Sequence, residues 1–210
     1  MKHIPNDYFI YHFFNRIKIE TRLKPDLLNL RKIIAAHVQH IPFEYNWHSL
    51  SKSKNIDLAS LFNNIILQKL GGYCYETGIL FNHLLQTIGF NTQLISGQIY
   101  RKEILDHNSL HLAILVQLEH QHWLVDVSWN GGIAAPIVLN TGIQVINNMY
   151  YRIKQVGHGI ELWEKKENWK KNYYVVALGD PLKMATQKHL FHQFDNRSEF
   201  YKKKILLYSK

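Results

Sequence analysis

Apolar residues recur with a helical period through the first ninety positions and with a period of two after them. Leu58, Leu61, Phe62, Ile65, Ile66 and Leu70 fall at i, i+3, i+4, i+7, i+8 and i+12, which predicts a helix starting at Asp57 as N-cap and ending at Gly71. Leu80, Phe81, Leu84, Leu85 and Ile88 define another helical face, with Gly89 where a C-cap glycine belongs. Leu27, Leu30, Ile33 and Ile34 give a helix that starts near Pro25-Asp26 and is stopped by Pro42. Residues 7–17 are aromatic and apolar, with Asp7 as candidate N-cap, and residues 51–56 read as a polar linker.

From Asn91 the pattern predicts strands over 92–100, 110–118, 122–129, 137–139, 144–151 and 173–178, with a polar loop over 101–109. The second and third are close enough to form an antiparallel hairpin. Consecutive strands without intervening helices predict a small antiparallel β-barrel or curled sheet. The expected class is α+β: a helical bundle over 1–90, a β-barrel over 91–180, and a short mixed C-terminal segment over 181–210 with a helix near 199–207.

Composition adds the setting. The chain has 210 residues, 46% of them hydrophobic and 20% charged, as expected of a globular protein rather than a disordered one. A single cysteine excludes an intramolecular disulfide and suits a reducing compartment. Without a signal-peptide core or an apolar run of membrane-spanning length, a cytoplasmic protein with no membrane partner is expected. The net charge is +9, with lysines clustered at 165–166, 170–171 and 202–204. No nucleic-acid motif accompanies them, so the basic surface suits an anionic small ligand, and no nucleic-acid partner is expected. There is no His-Glu-x-x-His motif, and one cysteine is too few for a thiolate zinc site, so no metal is expected.

That cysteine, Cys74, follows Gly71-Gly72-Tyr73 and precedes the helical run from Glu76. A thiol at a helix N-terminus is favoured as its anion by the helix dipole, which is where a nucleophile is placed. His111 on one strand of the hairpin and Asp126 on the next could complete an activated thiol, with His taking the proton and Asp fixing the tautomer. If His111 and Asp126 lie directly opposite, the connecting loop must hold an even number of residues, such as 117–120. Asp is disfavoured inside strands, and Leu124-Val125-Asp126-Val127 otherwise looks buried, so Asp126 needs a partner.

These residues carry a resemblance. A cysteine after a double glycine, a histidine 37 residues later and an aspartate 15 beyond that resemble the arylamine N-acetyltransferases in order and spacing. The likeness extends to His40-Ile41-Pro42-Phe43-Glu44, to the 80–90 helix end and to Pro136-Ile137-Val138-Leu139. It implies a cysteine-protease-like triad of Cys74, His111 and Asp126. It implies a helical domain, a β-barrel and an α/β lid, here a shortened remnant. It also implies ping-pong transfer from acetyl-CoA to an arylamine, hydrazine or N-hydroxyarylamine. Phe43 and Trp129 would line the acceptor site, and backbone amides at Asn130, Gly131 and Gly132 would meet coenzyme A phosphates.

The chain departs from the family at Leu70, where the family has an arginine that partners the glutamate of Pro-Phe-Glu. That leaves Glu44 without this partner or pairs it with Lys69. Tyr45 replaces an asparagine, Trp129 another aromatic, and Asn130 a glycine. Two other readings stay open at this point. One is a relative using the triad for amide synthesis or thioester hydrolysis. The other is a degenerate, non-catalytic protein that binds an anionic partner.

Overall fold

The structure is a computed structural model. It describes residues 4–20, 23–44, 57–99, 110–129, 132–140, 142–157 and 159–175. The expected linker at 51–56, the loop at 101–109 and the segment 181–210 with its helix lie outside the described residues.

Four helical elements come first. Helix α1 spans Asn6–Arg16 and buries Phe9, Phe13 and Phe14. Its N-cap is Pro5, not Asp7; Asp7 sits inside the first turn, where its charge favours the helix dipole instead. Helix α2 spans Leu27–His40 behind Asp26, whose side chain accepts from the Asn29 amide at 2.8 Å. It buries Leu30, Ile33, Ile34 and His37. Helix α3 covers Leu58–Leu61, capped by Asp57 through the Ser60 amide at 3.0 Å, and widens into a π-helical stretch over Phe62–Leu67. It therefore ends short of Gly71, with Lys69 in the left-handed region at φ 58°.

Helix α4 spans Cys74–Thr87, so the cysteine is its first residue. Gly89, at φ +100°, ends it. The Phe90 amide returns to Leu85 O at 2.9 Å and the Gly89 amide to Gln86 O at 3.0 Å, a Schellman closure that satisfies the last carbonyls.

Eight antiparallel strands follow: β1 Asn91–Ile99, β2 Leu110–Leu118, β3 Gln121–Val125, β4 Ile137–Val138, β5 Ile143–Ile146, β6 Met149–Val156, β7 Gly159–Lys165 and β8 Trp169–Val175. They form one sheet in the order β4-β3-β2-β1-β8-β7-β6-β5. The expected closed barrel is not what the backbone makes, because the end strands β4 and β5 do not pair by main chain among the described residues. A side chain joins them instead. The Gln144 carboxamide on β5 accepts from the Val138 amide and donates to the Val138 carbonyl, both at 2.9 Å. It presents to β4 the donor and acceptor that a neighbouring strand would.

Two readings of the strands need correction. The run 144–151 is two strands, β5 and β6, turned by Asn147 and Asn148 at φ 50° and 62°. Asparagine tolerates the left-handed region, and two such residues make a type I′ hairpin. Strand β7 went unpredicted because its alternation of Ile160 and Leu162 is diluted by Glu161, Trp163 and Glu164.

The core has two parts. One packs α1 to α4 against Ile114, Val116, Trp123 and Val125. The other fills the concave side of the sheet with Ile95, Ala113, Leu115, Leu124, Tyr151, Ile153 and Leu162. Strand β2 is thus buried on both faces. Helix α4 comes closest to it where Gly78 faces Leu112: a Cβ on Gly78 would lie 3.2 Å from Leu112 Cδ2. Gly78 is one turn beyond Cys74, and Leu112 adjoins His111.

Candidate active site

Three segments meet at Cys74. The chain 42–44 runs beside 71–72 as a short parallel bridge between Phe43 and Gly72. The Glu44 amide donates to Gly72 O at 3.0 Å, and the Gly72 amide to Pro42 O at 3.2 Å. The Gly71 amide donates to Glu44 Oε2 at 3.0 Å. A Cβ on Gly71 would sit 2.4 Å from Pro42 O, so only glycine allows this approach. Tyr73 is then extended, its amide donating to Glu76 Oε2 at 3.2 Å, and the helix begins at Cys74. The thiol is buried at the positive end of the α4 dipole.

His111 is buried on β2, opposite Gly97 of β1. Its Nε2 lies 2.7 Å from Asp126 Oδ2, and its side chain is hydrogen-bonded to that of Cys74. With Nε2 committed to the carboxylate, Nδ1 is the ring atom left for the sulfur. Burial alone would lower the His111 pKa. The charge and hydrogen bond of Asp126, then the hydrogen bond and charge of Cys74, outweigh it and hold the imidazole well above its ordinary range.

Asp126 is itself buried just past the end of β3. Its Oδ1 accepts from the Ser128 amide at 3.1 Å, Ser128 Oγ at 3.2 Å and the Trp129 amide at 3.0 Å. Three donors keep one carboxylate oxygen occupied and leave the other for His111, which satisfies a buried charge. The connecting loop has two residues, Glu119 and His120, both left-handed, and Leu118 faces Gln121. The even-loop condition therefore holds and both side chains share a face. Direct opposition does not hold, because the ladder stops at Val125 and the loop turns Asp126 back toward His111.

The flanking residues divide. The Trp129 ring stands edge-on to His111 with centroids 5.1 Å apart. Phe43 is 49% exposed beside Gly72. Gly132, at φ +101°, donates its amide to Trp129 O at 2.7 Å, so that N–H is used within the turn; a Cβ there would lie 2.5 Å from Val38 Cγ2. Gly132 shapes the loop, while Asn130, Gly131 and Tyr45 lie outside the described residues. One neighbour went unpredicted. Tyr151 of β6 has its phenol pushed up to about 12 by burial, then by Glu164 and Asp126, which places it within electrostatic reach of the carboxylate. Its position was hidden by the merging of β5 with β6. Among the described residues, no group of His, Cys, Asp or Glu is arranged to hold a metal.

The pattern of the N-acetyltransferase family matches residues 26–208. This chain belongs to the arylamine N-acetyltransferase family. It is 30% identical to the arylamine N-acetyltransferase / N-hydroxyarylamine O-acetyltransferase of Salmonella typhimurium, over 79% of this chain and 60% of that protein. It is 33% identical to the arylamine N-acetyltransferase of Mycolicibacterium smegmatis, over 69% of this chain and 56% of that protein. The alignments thus span under two thirds of these relatives' length. A solved structure of the Salmonella typhimurium arylamine N-acetyltransferase superposes with a TM-score of 0.78 at 27% identity, covering 93% of this chain and 69% of that one. No helix among the described residues is long and apolar enough to cross a membrane.

Proposed function

We propose that this N-acetyltransferase family member moves an acetyl group from acetyl-CoA to an arylamine, hydrazine or N-hydroxyarylamine through an acetyl-Cys74 intermediate. The observation that carries this is the hydrogen-bonded chain from the Cys74 side chain at a helix N-terminus, through His111, to Asp126. In the first half-reaction His111 holds the thiol proton, the sulfur attacks the acetyl carbonyl, the bond to the coenzyme A sulfur breaks, and that sulfur leaves with a proton. In the second, the amine attacks the thioester, His111 accepts its proton, and the Cys74 sulfur departs. Asp126 stabilises the imidazolium in both halves. The name of the Salmonella relative supports the acceptor class.

Phe43 and Trp129 are proposed walls of the acceptor site, because both aromatic rings stand beside the reacting pair. The net charge of +9 supports recruitment of coenzyme A phosphates. Amides at Asn130 and Gly131 are proposed to meet them, with Gly132 setting the turn. The proposed division is a helical unit over 1–90 that brings the nucleophile and a sheet unit over 91–180 that brings His111 and Asp126.

The test is single-turnover labelling with acetyl-CoA, read by peptide mass. Acetyl on the Cys74 peptide, discharged by an aromatic amine and absent in Cys74→Ala, is the expected result. An unlabelled Cys74 would overturn the reading. Rapid loss of the label to water without amine would redirect it to thioester hydrolysis.

A further inference from the structure

Helix α1 ends at Arg16, and its guanidinium reaches across to the segment that leads into Cys74. Nε donates to Ile65 O at 3.3 Å and Nη2 to Lys69 O at 3.4 Å, partners 49 and 53 residues away. Both carbonyls belong to the end of the π-helical stretch and the turn after it, where helical hydrogen bonding leaves acceptors over. Lys69 is held left-handed, a conformation that costs a non-glycine residue about 1 kcal/mol or more. The hydrogen bond from Arg16 fixes the carbonyl of that residue.

The same guanidinium acts on Glu44. Burial lowers the Arg16 pKa and the Glu44 carboxylate raises it, so the two opposite charges attract. Glu44 in turn accepts the Gly71 amide, and its own amide holds Gly72 O. Two residues later the chain is at Cys74. Arg16 therefore grips both ends of the approach to the nucleophile: the carbonyl of Lys69 on one side and the carboxylate that holds Gly71 on the other. Leu70, between them, is 41% exposed and contributes no charge.

We propose that Arg16 is a positioning residue for Cys74, acting through Glu44 and the Lys69–Gly72 turn. The assignment rests on the proposal that Cys74 is the nucleophile, but its test does not need acyl transfer. Nothing local in the sequence marks Arg16 for this role, because its partners are brought to it by the packing of α1 against the π-helical stretch and α4.

The experiment measures the rate of Cys74 alkylation by iodoacetamide, with thermal midpoints taken alongside. Arg16→Met is expected to slow alkylation by about 10-fold to 100-fold, the scale on which small misplacements of reacting groups act. Glu44→Gln is expected to slow it similarly, and the double variant no further, since both interrupt one chain of contacts. The decisive arm is rescue. Leu70→Arg places a guanidinium beside Gly71 and Glu44 from the other side. In the Arg16→Met background it is expected to restore most of the rate, which repair of general stability alone would not do selectively. Wild-type alkylation rates in Arg16→Met would overturn the proposal. So would a loss that follows the thermal midpoint and is not recovered by Leu70→Arg. Failure of acetyl-CoA to label wild-type Cys74 would instead remove the proposed function and leave the alkylation result standing.

Discussion

His37 gives the sharpest prediction about stability. It sits in α2 with none of its surface exposed, stacked on Phe13 at 5.9 Å and edge-on to Phe81 at 4.6 Å. Neither ring nitrogen has a hydrogen-bond partner among the described residues. Burial, then the charge of Arg16, lowers its pKa from 6.5 to about 3. The unfolded chain therefore takes up a proton near pH 6.5 that the folded chain refuses until about pH 3, and folding loses stability as pH falls between those values. The loss is about 1.4 kcal/mol per pH unit, so acidification to pH 4.5 removes about 2.7 kcal/mol through this one residue. That is a large part of the stability of a typical domain. His37→Leu removes the titration and also the two unsatisfied nitrogens, at the expense of two ring contacts. At pH 7.5 the two proteins should agree within about 2 kcal/mol. Urea denaturation at pH 7.5 and 4.5 measures both, and the difference between the proteins cancels the other titrating groups. The variant should lose about 2.7 kcal/mol less on acidification. Equal losses would show that the folded protein accepts the proton at His37, and the account of a dry, partnerless imidazole would be wrong.

Other outcomes follow from the site and the sheet. Asp126→Asn should lower acyl transfer by about 10³–10⁴-fold, read in single turnover; near-normal transfer would make Asp126 a structural residue. His111 is held above its unfolded value, so the stability it contributes is complete below about pH 6.5 and declines as pH rises through the folded value; nitrogen NMR should find the ring still protonated at pH 8 in wild type and neutral in Asp126→Asn. Gln144→Ala removes both bonds across the β4–β5 edge and should cost about 1–3 kcal/mol in denaturant titrations, with no change expected if the edge is held by other groups. Acylation by acetyl-CoA should weaken with added salt far more than acylation by a neutral acetyl ester; equal sensitivity would remove the case for phosphate recruitment.

What the sequence disclosed depended on how local the cause was. The faces of α2 and α4, the Asp57 cap and the Gly89 stop are each set by residues within a turn or two, and each was readable. The parity of the β2–β3 hairpin was readable for the same reason. The end of α3 was not. The apolar rhythm continues to Leu70, but the backbone widens at Phe62 and reverses at Lys69, and the contacts that hold this shape come from α1. The offset of Asp126 from direct opposition was hidden because a loop, not the ladder, aims it. The open edge of the sheet was hidden because closure there rests on one glutamine rather than on a strand pattern.

The close approach of Gly78 to Leu112 has a bearing on how the protein comes into being. The thiol is carried by one layer, while the imidazole and carboxylate are carried by the other. During synthesis Cys74 leaves the ribosome with helix α4 well before His111 and Asp126 exist, and it meets them only when α4 seats on β2. Until that seating the nascent chain carries an ordinary cysteine without its base. The rate at which Cys74 becomes reactive during refolding is therefore a clock for the joining of the two layers, and it should lag the appearance of helix.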